Sequence, residues 1–196
     1  MRKKQLAKFI VEASDSFKQH GKYIFTFSEM KKIIDENNEK WGISNSKSYR
    51  SVINELTEHT SLKKWEFNFP AQKEIKYTYG EVSDLELLSH LKKNSFFCYY
   101  TAMYLHNLTE QRPTVYYINV EQTPKFSSSE NILVQDRIDM AFKNKPRSTN
   151  NIAEYKNYKI YMISGKASHK LGVVDYKTEN IQVKVTDIER TLLDAT

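Results

Sequence analysis

The side chains best suited to bind a polyanion lie in residues 45–59, NSKSYRSVINELTEH. Tyr49, Val52, Ile53 and Leu56 recur there at the spacing that gathers apolar side chains on one face of a helix. The opposite face then carries groups that can donate hydrogen bonds to phosphates and to base edges. These groups belong to Lys47, Ser48, Arg50, Ser51 and Asn54. A polar surface helix without a ligand shows the same pattern, so the neighbouring elements must decide between the two interpretations.

Two helices are expected before this stretch, with a short extended piece between them at residues 22–25. Apolar residues at helical spacing predict the first helix over about residues 3–19. Thr26 and Glu29 have the spacing of a capping box, in which each side chain bonds the backbone N–H of the other residue. This box predicts the start of a second helix, which stops near Gly42. Ser46 or Asn45 is then the expected N-cap of the third helix.

A β-hairpin is expected after the third helix, because apolar residues alternate in two runs, LKKWEFNF at residues 62–69 and KEIKYTYG at residues 73–80. Three helices followed by a hairpin is the order of a winged helix-turn-helix, whose third helix enters the major groove of DNA. The hairpin wing then lies on the sugar-phosphate backbone. The expected phosphate contacts are the hairpin residues Lys63, Lys64, Lys73 and Lys76 and the N-terminal residues Arg2, Lys3 and Lys4.

The formal net charge of +6 is unevenly distributed along the chain. Residues 1–80 contain 15 Lys or Arg against 10 Asp or Glu, whereas residues 81–196 contain 15 against 14. The excess positive charge therefore belongs to the half with the predicted hairpin, as expected if that half meets a polyanion. Winged helices also bind proteins, and lysines on a hairpin can serve only to discourage edge-to-edge aggregation. A protein-interaction module thus remains an alternative to DNA binding.

Several protein classes are excluded by the composition. No apolar run approaches the roughly 20 residues that a membrane span requires. The N-terminus, MRKKQLAKFIVEASDSF, has charge where a signal peptide needs an apolar segment. Cys98 is the single cysteine, so no intrachain disulfide can form, and we expect a reducing cytoplasm. The histidines are scattered in sequence and indicate no zinc site, and no motif indicates a cofactor.

The second half predicts an α+β domain over residues 81–196, after a winged helix-turn-helix domain over residues 1–80. Ser83 and Glu86 form a second capping box, and Ser95 is the expected cap of a helix in FFCYYTAMYLHNL. Strand composition is found at residues 114–120, 158–164, 171–176 and 181–185, and residues 143–151 are expected to form a loop. Thr186 and Glu189 have the spacing of a third capping box, which begins the last helix.

Catalytic residues are not expected. His106 has no nucleophile or orienting carboxylate near it in sequence. A DNA-acting nuclease remains an alternative, because Asp175 and Lys184 lie on paired predicted strands, as a metal-binding carboxylate and its lysine do in such enzymes. The second carboxylate that such a metal site needs is missing from this pattern.

Three blocks of the second half resemble the AbiEi family of antitoxins from type IV toxin-antitoxin systems, which act in abortive infection, a form of phage defence. The blocks are YYTAMYLHNLTEQ at residues 99–111, SGKASHKLGV at residues 164–173 and VTDIERTLLDAT at residues 185–196. The resemblance implies an N-terminal domain that binds inverted repeats in its own promoter, as a monomer or dimer, and represses the operon. It also implies a second domain that counteracts a nucleotidyltransferase-like toxin without forming a stable complex with it.

The resemblance also marks individual positions. Typical relatives continue beyond the last block, so this chain is expected to be a short variant or a truncated form. The motif positions are assigned to the antitoxin domain without a chemical role, and Thr186 and Glu189 are expected to be structural. These positions are Tyr100, Thr101, His106, Leu108 and Thr109 in the first block, Gly165, Lys166 and Gly172 in the second, and Glu189, Arg190, Thr191 and Asp194 in the third.

Overall fold

The protein has a mixed α+β fold, seen here in a computed structural model. The structure describes residues 3–44, 46–123, 134–143, 148–179 and 181–195. The chain forms two compact units, one of Met1–Lys93 with Tyr176–Val183 and the other of Asn94–Asp175 with Lys184–Thr196. None of the helices in these described ranges combines the length and the apolar character that crossing a bilayer requires.

The first unit contains the three expected helices and the expected hairpin. A short strand follows the first helix and pairs with the second strand of the hairpin, so the sheet has the antiparallel order β1-β3-β2. The elements are α1 (Lys3–His20), β1 (Ile24–Phe25), α2 (Phe27–Asn37), α3 (Tyr49–His59), β2 (Leu62–Asn68), β3 (Lys73–Tyr79) and α4 (Asp84–Ser89).

One hydrophobic core joins α1, α2 and α3 to the hairpin. Each helix contributes the face that its apolar spacing predicts, and Val52, Ile53 and Leu56 are the buried residues of α3. Trp41 lies in the turn after α2 and is also buried, where its Nε1 donates a hydrogen bond to Ser16 Oγ at 3.2 Å. The helix α2 itself ends at Asn37, before the predicted stop near Gly42.

The predicted helix starts of the first unit have different outcomes, and that of α4 at Ser83 is confirmed because its side chain accepts from Glu86 N. The capping box of α2 is confirmed, because Thr26 Oγ1 accepts from the Glu29 backbone while the Glu29 carboxylate accepts from the Thr26 backbone. The predicted cap of α3 at Ser46 is wrong, because Ser48 Oγ accepts the hydrogen bond from Ser51 N at 3.3 Å. Ser48 has the extended backbone that an N-cap requires.

The other sheet of the protein has six strands, some parallel and some antiparallel, in the order β6-β7-β5-β4-β9-β8. The four predicted strands of this half are confirmed, and two further strands, β4 and β6, were not predicted. The elements are β4 (Phe96–Phe97), α5 (Tyr99–Leu105), β5 (Val115–Asn119), α6 (Gln135–Lys143), β6 (Ile152–Tyr155), β7 (Tyr158–Ile163), β8 (Val173–Lys177), β9 (Gln182–Thr186) and α7 (Ile188–Ala195).

Two helix caps predicted for this half are wrong. Ser95 does not cap a helix, because Phe96 and Phe97 form a buried strand between β5 and β9 and the helix α5 begins only after Cys98. A run of aromatic residues without a clear period fits a buried strand as well as a helix. The predicted cap of α7 at Thr186 is also wrong. The cap is Asp187, whose Oδ1 accepts a hydrogen bond from Arg190 N at 2.8 Å.

Candidate nucleic-acid interface

The exposed face of α3 presents Arg50, Ser51 and Asn54. The helix is held in place on its other side by the core and at its start by Tyr49. The Tyr49 hydroxyl donates to Asp35 Oδ1 of α2 at 2.7 Å, and Lys31 Nζ lies 4.8 Å from the centre of the Tyr49 ring. The buried face and the Tyr49 contacts together fix which face of α3 is exposed, and the three side chains lie on that face.

Arg50 is the strongest donor on this face. Within the ranges that the structure describes, its guanidinium has no ion pair and no hydrogen bond. Five N–H groups in a planar fork suit a guanine edge or a phosphate, and no acidic group must be displaced before they bind one. Arg50 is therefore available to a ligand without rearrangement of the protein.

Two of the predicted α3 residues are not free donors on the helix face. Lys47 lies before the helix and forms an ion pair with Glu55. The Ser48 hydroxyl is the N-cap acceptor, so its position follows from helix termination and not from ligand contact. On this element the exposed donor side chains are Arg50, Ser51 and Asn54, while ligand contact by Lys47 and Ser48 stays a prediction.

The hairpin register decides which lysines share a face. Successive side chains of a strand point to opposite faces, and directly opposed residues point to the same face. Lys64 lies opposite Tyr77 and two residues after Leu62 on β2. Both Tyr77 and Leu62 belong to the core under the helices, so Lys64 is on the helix side of the hairpin. Lys73 lies opposite Asn68 on this same face of the hairpin.

The other two hairpin lysines lie on the opposite face, so the structure does not bring all four predicted phosphate contacts together. Lys63 lies opposite Thr78 and pairs with Glu81 at 3.0 Å. Lys76 is only 6% exposed, and burial lowers its pKa. A side-chain period of two necessarily separates these residues from Lys64 and Lys73.

A glutamate lies between the two lysines of the helix-side face. Glu66 pairs with Lys64 at 2.7 Å and also with Lys73. The hydrogen bonds from Lys64 and then Lys73 lower the pKa of Glu66 to about 2, and the bond to Glu66 raises the pKa of Lys64. The hairpin sequence predicted the lysines but not this pairing, although the i, i+2 spacing of Lys64 and Glu66 could have indicated it.

The pKa of Tyr77 on the hairpin is affected by charges from the hairpin and from α3. Burial raises the pKa of the Tyr77 hydroxyl, while the positive charges of Lys64 and Arg50 oppose that shift. The pKa of Lys64 is raised by its hydrogen bond to Glu66, and the charge of Arg50 opposes that shift. Lys64 lies on the hairpin face of Tyr77, and Tyr77 belongs to the same core as the buried residues of α3.

The predicted N-terminal phosphate contacts are described only in part. Lys3 and Lys4 are the first two residues of α1, so these two predicted contacts lie on a helix. Arg2 lies outside the described residues, as does Asn45, the alternative cap of α3.

In the second unit, Arg190 connects the second and third AbiEi-like blocks. Its Nη1 donates to Ser168 Oγ at 3.1 Å and to the Leu171 carbonyl, and its Nε lies 3.7 Å from Asp194 Oδ2. Its Nη2 lies 3.5 Å from Glu121 Oε1. Arg190 is therefore engaged inside the protein.

Glu121 completes this cluster and had no signal in the sequence. Its carboxylate accepts from the Ser168 and Lys170 backbone N–H groups, each at 3.1 Å, and from the Ser168 hydroxyl. Burial alone would raise the pKa of Glu121, but these hydrogen bonds and Arg190 lower it.

The two motif glycines lie where an added Cβ would come very close to other side chains. Gly172 has φ +65°, and a Cβ there would lie 3.0 Å from Arg190 Cβ. A Cβ at Gly165 would meet the Asn119 side chain at 2.8 Å. Lys166 and Glu189 are exposed instead, so these two motif positions are accessible.

The first block also makes contacts within its unit. His106 Nε2 lies 2.6 Å from the Thr186 carbonyl oxygen, and Thr101 Oγ1 accepts from Tyr117 N at 2.8 Å. The Tyr100 hydroxyl bonds Thr109 Oγ1 at 3.2 Å, whereas Leu108 is exposed. The Thr191 hydroxyl lies 2.8 Å from that of Thr186. Most motif residues therefore maintain the fold of this unit.

The residues of the nuclease hypothesis form an exposed pair. Lys184 Nζ lies 2.7 Å from Asp175 Oδ1. Among the residues that could be searched, no group of three or more His, Cys, Asp or Glu side chains is placed to hold a metal ion. The described residues therefore supply no second metal-binding carboxylate for the nuclease hypothesis.

Comparisons with known proteins assign no family to the chain. The sequence was compared both with protein-family models and with curated proteins. No family model matches the chain, and no curated protein matches it significantly.

Proposed function

We propose that this protein is an AbiEi-type antitoxin whose first unit is a winged helix-turn-helix that binds promoter DNA and represses its own operon. The observation that carries the proposal is the exposed Arg50 of α3, which has no ion pair or hydrogen bond among the described residues. Lys64 lies on the hairpin face that covers the core beneath this helix. In this assignment α3 is the recognition helix and the β2–β3 hairpin is the wing.

The chemistry of the α3 surface supports DNA binding. Arg50 can donate two parallel hydrogen bonds to the O6 and N7 atoms of guanine, and Asn54 can make the corresponding pair with adenine. Ser51 can donate to either kind of base or to a phosphate. Lys64 and Lys73 on the wing then supply the contacts to the backbone that set the orientation on the duplex.

A protein-interaction module is the alternative that this surface favours less. The cores of protein–protein interfaces are enriched in aromatic residues and depleted of charged ones. The outward residues Arg50, Ser51 and Asn54 include no aromatic or aliphatic side chain, and the adjacent cations increase the polar character of the surface. A polyanion therefore fits it better than an apolar partner does.

For the second unit we propose the antitoxin activity that the family resemblance implies. Arg190 holds the loop of the second block against the helix of the third, so residues distant in sequence form one rigid cluster. Leu108, Lys166 and Glu189 are the motif residues left exposed, and we assign contact with a partner to them. The functional partner in this proposal is a nucleotidyltransferase-like toxin encoded beside this gene, with no stable complex between the two proteins.

DNA binding is tested with a fluorescent duplex of the native promoter and a scrambled duplex of equal length, at about 0.15 M salt. We expect preference for the promoter in the wild type and loss of that preference in the triple variant R50A/S51A/N54A. Lys18→Ala is the charge-matched control, since it removes one exposed positive charge from the end of α1. An unchanged promoter preference in the triple variant would show that α3 is not the recognition helix.

The antitoxin activity is tested separately by co-expression with the toxin from the adjacent gene. We expect the wild type and the R50A/S51A/N54A variant to rescue growth equally when both are expressed from an unrelated promoter. Growth arrest with both proteins would contradict the antitoxin assignment and leave the DNA-binding result unaffected.

A further inference from the structure

We propose that Lys64 and Lys73 form a seat for one DNA-backbone phosphate, and that the Glu66 carboxylate occupies this seat in the free protein. The inference rests on the proposed DNA-binding function and adds a regulatory feature to the same site. Glu66 becomes an internal competitor that a phosphate must displace before the wing can bind.

The geometry of the pairing supports a seat for a phosphate. Lys64 Nζ lies 2.7 Å from Glu66 Oε1, while Lys73 contacts the other carboxylate oxygen, Oε2. A phosphodiester group also carries its negative charge on two terminal oxygens bound to one central atom. Two ammonium groups that converge on the two oxygens of a carboxylate can therefore converge on those of a phosphate with small side-chain movements.

The seat is open to solvent on the hairpin. The side chains of Lys64, Lys73 and Glu66 are 38%, 47% and 36% exposed. Ion pairs at this exposure are weak, because water and salt screen both charges. A phosphate that is held in place by contacts elsewhere on the duplex can therefore replace the carboxylate.

Protonation cannot open this seat at ordinary pH. The two lysines hold the pKa of Glu66 at about 2, so its carboxylate remains charged wherever DNA binding is measured. Only a competing anion can displace it. When DNA contacts the wing alone, Glu66 remains bound to Lys64 and Lys73. When the duplex also binds Arg50, its phosphate displaces Glu66 from the two lysines.

The inference is tested with Glu66→Gln, which keeps the side-chain size but removes the charge. We expect tighter binding to promoter and scrambled duplexes alike, by about five- to tenfold, with a salt slope steeper by roughly one unit, because one uncompensated cation is added at the interface. Thermal unfolding of each variant checks that the fold is retained.

The matched control is Glu110→Gln after α5, where an exposed glutamate lies outside α3 and the hairpin and has no ion pair in the described part of the protein. It removes the same charge without releasing a lysine, so we expect an affinity change below about twofold. In a K64A/K73A background, Glu66→Gln should no longer tighten binding, because no seat remains to be opened.

The outcomes separate this inference from the function on which it rests. Equal effects of Glu66→Gln and Glu110→Gln, with promoter binding by the wild type, would overturn the seat and leave the DNA-binding function standing. A persisting gain in the K64A/K73A background would also overturn it. Absence of duplex binding in the wild type would instead overturn the proposed function, and the seat with it.

Discussion

Lys64 lies directly opposite Tyr77 in the β2–β3 register, whereas the adjacent Lys63 lies opposite Thr78. This one-residue difference places the two lysines on opposite faces of the hairpin. Tyr77 belongs to the core beneath α3, so Lys64 is on the helix side. Neighbouring lysines in the sequence therefore have different surroundings in the folded protein, and we expect different effects when each is replaced.

We expect Lys64→Ala to weaken binding to promoter and scrambled duplexes alike and to reduce the salt slope by roughly one unit, as loss of a phosphate contact does. Lys63→Ala is the matched control, with the same charge change on the other face. Titrations at several salt concentrations measure both slopes. A smaller slope for Lys63→Ala than for Lys64→Ala would contradict the assignment of faces.

Arg50→Lys separates charge from base recognition. Lysine keeps the positive charge but loses the planar fork that makes two hydrogen bonds to guanine. We expect binding to scrambled DNA to stay within about twofold, while discrimination for the promoter falls by about 1–3 kcal/mol. Competition between the two duplexes measures this difference. Retained discrimination would mean that Arg50 contacts phosphate only.

Glu29 predicts a pH dependence of stability in the first unit. Partial burial would raise its pKa, but the bonds from Lys22 and Thr26 outweigh burial and lower the pKa from 4.5 to about 2. Because the folded-state pKa is the lower one, the stabilisation is fully present above pH 4.5. It is lost as the pH falls from there towards 2.

Urea unfolding at pH 7, 4 and 3 tests this dependence in the wild type and in Glu29→Gln. The stability difference between them should be largest at pH 7 and should shrink at each lower pH. Thr26→Ala is a useful comparison, since loss of an N-cap costs about 1 kcal/mol. A constant difference between wild type and Glu29→Gln would show that the carboxylate charge contributes no stability.

Gly172→Ala should destabilise the second unit for two reasons. The backbone φ of +65° is unfavourable for alanine, and the new Cβ would lie 3.0 Å from Arg190 Cβ and Asp187 Oδ2. Gly80→Ala in the first unit is the control, because it has φ +78° but open space around the added methyl group. We expect a larger fall in free energy of unfolding at Gly172 than at Gly80, and equal losses would exclude the steric contribution.

Local chemistry allowed correct prediction wherever the partner groups are close in sequence. The capping box of α2 needs only Thr26 and Glu29, which are three residues apart. The hairpin is equally local, because its two strands are joined by a short turn. The same reasoning failed at Phe96 and Phe97, whose strand partners are Ile118, Asn119 and Val185. No local period distinguishes a central strand formed by such distant partners from a helix.

The amino-acid sequence by itself determined the helical face of α3, the alternation of the hairpin and the excess of cations in the first half. Tertiary structure alone decided that Lys64 lies on the hairpin face of the core beneath α3, that Lys76 is buried and that Glu66 lies between two lysines. The physical reason is that a composition contains charges but no distances. Strand register and helix packing decide which charges come within a few ångströms of each other, and those distances determine what the surface can bind.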